Sequence, residues 1–147
     1  MAIGLKYCQA RGCSPTLEQL GAAALYETPD SYLENVNREY RRRRDILFAA
    51  LSEIPGVICK KPEGAFYIMA RIPVDDAEKF IIWMLQEFSM NGETTMASPA
   101  EGFYATPGLG KTEIRMAYVL NEEDLKKAVT ILAEGIKAYP ENTLGLK

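Results

Sequence analysis

The sequence of 147 residues contains no histidine. This absence excludes the Ser-His-Asp and Cys-His nucleophile systems and the common zinc sites built on imidazole. Only three cysteines are present, Cys8, Cys13 and Cys59, and none of them forms a CxxC pair. They predict reduced thiols in a cytoplasmic protein and no metal site. Any chemistry must therefore use carboxylates, lysine, tyrosine, cysteine or a cofactor.

Long apolar runs and a strong net charge are also missing. No stretch approaches the roughly 18 apolar residues of a membrane span, and residues 1–6 lack the layout of a signal peptide. The net charge of −3 and the pI near 5.1 argue against nucleic acid and anionic membranes as partners. Length and composition are those of one globular domain.

The hydrophobic periodicity predicts four helices and four strands. The expected helices are a short one before residue 28, a long one over 31–54, one over 77–88 and one after Asn121; the expected strands cover 57–60, 65–72, 94–97 and 114–120. This order predicts an α+β fold in two layers, with a small, mostly antiparallel sheet and helices packed on one face. We expect a single domain over 1–147, with a leading segment over 1–30 and a core over 31–147.

Arg115 lies alone in an apolar strand pattern and is the candidate binding residue. Because alternate side chains of a strand point to opposite faces, it shares a face with Ala117 and Val119. A guanidinium among apolar neighbours is costly to desolvate unless an anion meets it, and its planar fork fits a carboxylate. An arginine on an edge strand that reaches water, or one paired with a structural glutamate, also explains the pattern, since most arginines are exposed.

Residues 105–112 nearly reproduce a phosphate-binding loop, with Ala105 in the first glycine position. That motif needs a helix after the loop, so that backbone N–H groups converge on the phosphates. Here the predicted strand of Arg115 follows, and Pro107 lacks an N–H group. The sequence therefore argues against nucleotide binding.

Other side chains favour structural roles. The basic run over 38–44 is matched by acids four residues away, in the pairs Glu34/Arg38, Glu39/Arg43 and Arg41/Asp45, which is typical of a solvated helix face. A Schiff-base lysine needs a desolvated pocket, and the candidates do not suit it: Lys6 lies near a terminus, and Lys60 and Lys61 adjoin a predicted turn. Aromatic residues at 66–67 and 103–104 could line a pocket, but aromatics in strands and at their margins are usually core, and they are interpreted as core here.

Four segments, taken in order, resemble the C-terminal part of pyridoxal-phosphate-dependent aminotransferases of the aspartate aminotransferase fold type. They are Arg-Arg-Arg-Arg-Asp at 41–45, Pro-Glu-Gly-Ala-Phe-Tyr at 62–67, Glu-Gly-Phe-Tyr at 101–104 and Ile-Arg-Met-Ala-Tyr at 114–118. The resemblance implies that Arg115 binds the α-carboxylate of the substrate. Pro99-Ala100 stands where the family usually has Pro-Gly, so side-chain specificity is not transferred.

The family's Schiff-base lysine, its pyridine-facing aspartate and most of its phosphate contacts lie upstream of this region and have no counterpart here. The resemblance therefore implies a small C-terminal domain cut from a longer enzyme, inactive alone, with no catalytic, cofactor-binding or metal residue of its own. The full-length enzyme is expected to use pyridoxal phosphate, an amino acid and a 2-oxo acid, and to form a homodimer with the cofactor-binding domain present. The rival hypotheses are a lyase or synthase of the same fold, a non-enzymatic α+β interaction module and, more remotely, a nucleotide-binding protein.

Overall fold

The computed structural model of this chain describes residues 2–143 and 145. Its regular elements are five α-helices and four β-strands within that part of the chain. The helices are α1 (Ala2–Arg11), α2 (Thr16–Ala23), α3 (Asp30–Ser52), α4 (Ala77–Gln86) and α5 (Glu122–Ala138); the strands are β1 (Ile58–Cys59), β2 (Tyr67–Arg71), β3 (Ser98–Pro99) and β4 (Glu113–Ala117). Short 3₁₀ turns cover Ala24–Glu27 and Glu101–Phe103.

The four strands form one antiparallel sheet in the order β1-β2-β4-β3. The predicted α+β class and the antiparallel pairing are confirmed. Strand β4 lies inside the sheet, because it pairs with β2 on one side and with β3 on the other. Arg115 stands opposite Met69 of β2 and opposite Ser98 of β3. The arginine therefore occupies an interior strand and not an edge.

One face of the sheet is buried and the other is open. Ile68 and Ala70 of β2, with Ile114 and Met116 of β4, are at most 6% exposed. They join buried side chains of α3, α4 and α5 in one apolar cluster, so helices cover this face as predicted. Since side chains alternate along a strand, the residues between them point to the open face.

The sequence predicts a cap at Asp75 or Asp76 for the helix over 77–88 and at Asn121 for the last helix, and both helices begin at such a cap. The Asp76 carboxylate accepts hydrogen bonds from the backbone N–H groups of Glu78 and Lys79, at the start of α4. The Asn121 side-chain oxygen accepts from the N–H of Asp124, at the start of α5. Each cap satisfies helix N–H groups that have no partner within the helix.

The long helix and the third strand differ slightly from expectation. Helix α3 begins one residue earlier, at Asp30, and ends at Ser52. The strand expected over 94–97 is instead β3 at Ser98–Pro99. The Thr94 hydroxyl donates to the Met84 carbonyl, so this segment is tied to the end of α4 before it reaches the sheet.

By their contacts, the residues form two units, Met1–Val36 and Asn37–Lys147. We call the described parts of these the leading unit (2–36) and the C-terminal unit (37–143 and 145). Before α3, residues 2–29 form two α-helices where the sequence predicts one short helix. Helix α1 was missed because it lacks a cap signal, although alanine, leucine, lysine and glutamine favour helix without one.

In the part of the chain described here, no helix combines the length and apolarity that crossing a bilayer requires. Nor do residues 2–143 and 145 bring together a cluster of histidine, cysteine, aspartate or glutamate suited to a metal ion.

Candidate functional site

Arg115 lies in the middle of β4 with its side chain on the open face of the sheet. It is half-buried, whereas Ile114 and Met116 on either side of it are buried in the core. The backbone around it is hydrogen-bonded to β2 and to β3. The backbone that carries this guanidinium is thus held within one of the two interior strands of the sheet.

Two aromatic rings contact the Arg115 guanidinium. Its Cζ atom lies 4.5 Å from the centroid of the Phe103 ring and 5.3 Å from the centroid of the Tyr67 ring. Both distances are within the range of cation–π attraction. Rings attract the cation without using its N–H donors, so the hydrogen-bonding fork stays available to a planar anion.

Within the described residues, no carboxylate forms an ion pair with Arg115. The ion pairs of the C-terminal unit use other arginines and lysines. The explanation by a structural glutamate therefore finds no support in residues 2–143 and 145, and the interior place of β4 removes the explanation by an edge strand. What remains is a half-buried cation, flanked by rings, with free donors.

The carboxylate closest along the same strand face is already bound. Glu113 precedes Arg115 by two residues, and its Oε2 accepts a hydrogen bond of 2.5 Å from the Tyr104 hydroxyl. This bond raises the pKa of Tyr104, because ionising the phenol beside a carboxylate is unfavourable. The Tyr104 ring packs directly against Gly110, where a Cβ atom would lie 2.4 Å from it.

A Schiff base with pyridoxal phosphate needs a lysine in a desolvated pocket. All eight lysines among the described residues are exposed, and Lys147 lies outside them. Lys61 is 2.9 Å from Asp45, and Lys111 is 3.9 Å from Asp76. The part of the chain that the structure describes therefore does not fit the aldehyde of this cofactor.

The basic run of α3 is structural, as the sequence suggests. Arg43 donates to Glu39 at 2.7 Å, the predicted spacing of four residues, and also to the Val119 carbonyl at 2.6 Å. Asp45 pairs with Arg44 and Lys61 and not with Arg41, the predicted partner. Hydrogen bonds from Arg44 and then Lys61 lower the pKa of Asp45.

The loop over 105–112 leads directly into β4, which begins at Glu113, as predicted. No helix follows whose N–H groups could surround a phosphate. The prediction that a strand and not a helix follows this loop is therefore confirmed.

The sequence-based interpretation missed the aromatic contacts of Arg115. Tyr67 is half-buried, while Phe66, Phe103 and Tyr104 are 39–57% exposed, so none of the four belongs to the buried core. The sequence contains only a partial signal for Tyr67, whose place in a predicted strand puts it on one face with Arg115 once the register is known. In the observed register Tyr67 stands opposite Ala117, on the face that carries Arg115. For Phe103, which comes from a 3₁₀ turn, the sequence carried no comparable signal.

Comparison with known proteins places the chain in a family. Residues 3–132 match the family described as aminotransferase class I and II. The chain is 31% identical to aspartate aminotransferase of Bacillus subtilis over 137 residues, which are 87% of this chain and 31% of that enzyme. It is 33% identical to LL-diaminopimelate aminotransferase of Oleidesulfovibrio alaskensis over 105 residues, 71% of this chain and 25% of that protein.

Solved structures agree. The α-aminoadipate aminotransferase of Thermus thermophilus, complexed with N-(5'-phosphopyridoxyl)-L-leucine, superposes with a TM-score of 0.72 at 26% identity, covering 88% of this chain and 33% of that one. The alanine aminotransferase of Pyrococcus furiosus gives 0.70 at 26% identity, with coverage of 88% and 32%. This chain thus spans a quarter to a third of the relatives it matches. By sequence and by fold, it belongs to the class I and II aminotransferases.

Proposed function

We propose that this chain is the small C-terminal domain of a pyridoxal-phosphate-dependent aminotransferase, and that Arg115 receives the α-carboxylate of the amino-acid substrate. The observation that carries the proposal is the Arg115 guanidinium, contacted by two rings and joined to no carboxylate within the described residues. The match of residues 3–132 to the family supports it.

The physical role of Arg115 follows from its surroundings. A carboxylate that meets the guanidinium edge forms two parallel, charge-assisted hydrogen bonds. Partial burial and the neighbouring rings lower the local dielectric, so such a pair is stronger here than at an exposed surface. A substrate held by its carboxylate has a fixed orientation, which is the contribution that this domain would make to the reaction.

The cofactor is assigned to the remainder of the longer enzyme, since the exposed lysines described above do not suit it. Pyridoxal phosphate supplies the electron sink for exchanging an amino group between an amino acid and a 2-oxo acid. We expect the chain alone to be inactive. With pyridoxal phosphate added, its visible spectrum before and after borohydride should reveal no stoichiometric adduct on a single lysine. Such an adduct would contradict the assignment of the cofactor to the remainder of the longer enzyme.

The proposal also covers the cellular location, the oligomeric state and the partners of the enzyme. It places the protein in the cytoplasm, supported by three free cysteines of which Cys8 and Cys13 are exposed. It also includes a homodimer for the full-length enzyme, with nucleic acid and membranes excluded as partners.

The decisive experiment replaces Arg115 in the full-length enzyme. Arg115→Ala should lower kcat/KM for the amino acid by about two orders of magnitude, because a misplaced substrate reacts that much more slowly. Arg115→Lys keeps the charge but loses the fork, so it should restore only part of the loss. Single-turnover rates are the measurement.

Arg11→Ala is the matched control, since Arg11 is an exposed arginine of the leading unit. It removes the same charge and should leave the rate unchanged. If Arg115→Ala reacts at nearly the wild-type rate with cofactor bound, the carboxylate is held elsewhere and the proposal is wrong.

A further inference from the structure

The open face of the sheet carries one acid beside two arginines. Glu113 stands directly opposite Arg71 in the pairing of β2 with β4, and it precedes Arg115 by two residues on the same strand. Neighbours on one face of a sheet are within reach of long side chains. Glu113 could therefore pair with Arg115 and occupy the donors that a substrate carboxylate would need.

The structure shows a different partner for this acid. Glu113 binds the Tyr104 hydroxyl at 2.5 Å, and no ion pair of the described residues joins it to Arg71 or Arg115. A hydroxyl bond to a charged carboxylate of this length belongs to the strong class of hydrogen bonds. The carboxylate is thus held by a neutral donor although two cations lie on the same face.

The place of Tyr104 is fixed by the loop that precedes β4. Gly110 has a φ of +76°, and its missing side chain leaves the space in which the Tyr104 ring lies. The backbone N–H of Glu113 donates to the Gly110 carbonyl at 2.9 Å, and the N–H of Ala100 donates to the Glu113 carbonyl at 2.9 Å. These bonds hold the phenol and the carboxylate in one small assembly beside the arginine.

We propose that Tyr104 is a positioning residue that keeps Arg115 available by holding the carboxylate of Glu113. The inference rests on the proposed function, in which Arg115 receives a substrate carboxylate. Without the Tyr104 hydroxyl, Glu113 turns to Arg115 and competes with the substrate as an internal anion.

The first arm of the test uses the 147-residue chain without any ligand. The Nε–Hε resonances of Arg115 and Arg71 are assigned by NMR in four proteins: wild type, Tyr104→Phe, Glu113→Gln and the double variant. Tyr104→Phe keeps the ring against Gly110 and removes only the hydroxyl. We expect it to shift the Arg115 resonance and slow its exchange with solvent, and we expect the double variant to return both to the values of Glu113→Gln.

The second arm measures the amino-acid half-reaction in the full-length enzyme. Tyr104→Phe should raise KM about three- to fivefold with kcat unchanged, since an exposed ion pair competes with the substrate by about that factor. Adding Glu113→Gln should restore KM. If Tyr104 had a merely structural role, removing the acid with Glu113→Gln would not restore KM.

The outcomes separate the two ideas. If the Arg115 resonance does not move in Tyr104→Phe, or if only the Arg71 resonance moves, the inference is overturned whatever the kinetics show. If Arg115→Ala leaves kcat/KM unchanged, the proposed function fails, while the NMR arm still decides whether Tyr104 keeps Glu113 from pairing with Arg115.

Discussion

The leading unit and the C-terminal unit use their apolar residues in different ways. In the leading unit Leu17 is 80% exposed and Tyr26 is 95% exposed, and no side chain described over 3–36 is buried. In the C-terminal unit Leu47, Phe80 and Leu132 have no exposed surface at all. Both units form helices, yet only the second gains burial from them.

This difference separates local preference from tertiary stabilisation. A short helix forms where the sequence favours it, but most helical stability in proteins comes from packing one face against a core. The overall hydrophobic content of 48% cannot reveal this, because it counts apolar residues of both units alike. The contrast should therefore appear in variants that remove the same kind of group from each unit.

The largest effect is expected from truncating a core ring. Phe80 packs edge-on against Tyr139, with ring centroids 5.2 Å apart, and stacks on Trp83. Phe80→Ala should lower the free energy of unfolding by about 3–5 kcal/mol. Leu17→Ala, which truncates an exposed apolar side chain of the leading unit, should change it by less than about 0.5 kcal/mol. Urea unfolding measures both; a costly Leu17→Ala would mean that the leading unit contributes to the cooperative core.

A smaller effect, of opposite sign in the two units, is expected at two glycines. Gly110→Ala must adopt a φ of +76° and place its Cβ against the Tyr104 ring, so it should destabilise by about 1–3 kcal/mol. Gly21 lies inside α2 with no atom near a new Cβ, so Gly21→Ala should increase the helical signal by circular dichroism. If Gly110→Ala and Gly21→Ala changed the stability in the same direction, the proposed difference between the two units would be wrong.

The smallest effect concerns an ion pair of the C-terminal unit. The pKa of Asp45 is lowered in the folded protein, so its pairing stabilises the fold above the ordinary value of 3.8 and is lost as the pH falls through the lowered pKa. Because Asp45 is half exposed, Asp45→Asn should cost only about 0.5 kcal/mol at pH 7. The difference from wild type should vanish at low pH, and a difference that persists there would rule out this cause.

Much of the C-terminal unit was predictable because its signals are local. The caps at Asp76 and Asn121, and the alternation around Arg115, depend on residues a few positions apart. The family resemblance supplied the carboxylate-binding role proposed for Arg115. That role stays a prediction until the variants are measured.

The rest depended on contacts that no local pattern contains. The ring of Phe103 reaches Arg115 from a 3₁₀ turn twelve residues before it, and Tyr67 reaches it across a strand pairing. The bond between Tyr104 and Glu113 likewise exists only because Gly110 leaves room for the ring. Helix α1 escapes the sequence argument for a different reason, since residues 4–7 carry no helix start signal.

The order of strands in the sheet has a consequence for synthesis on the ribosome. Strand β4 is the last of the four in sequence, yet it inserts between β2 and β3. Until it emerges, one edge of β2 lacks its partner and β3 has no strand with which to pair. Unpaired edges recruit other chains. A nascent chain is therefore most prone to aggregate just before the segment that carries Arg115 leaves the tunnel, and translation that stops ahead of Glu113 should yield insoluble products.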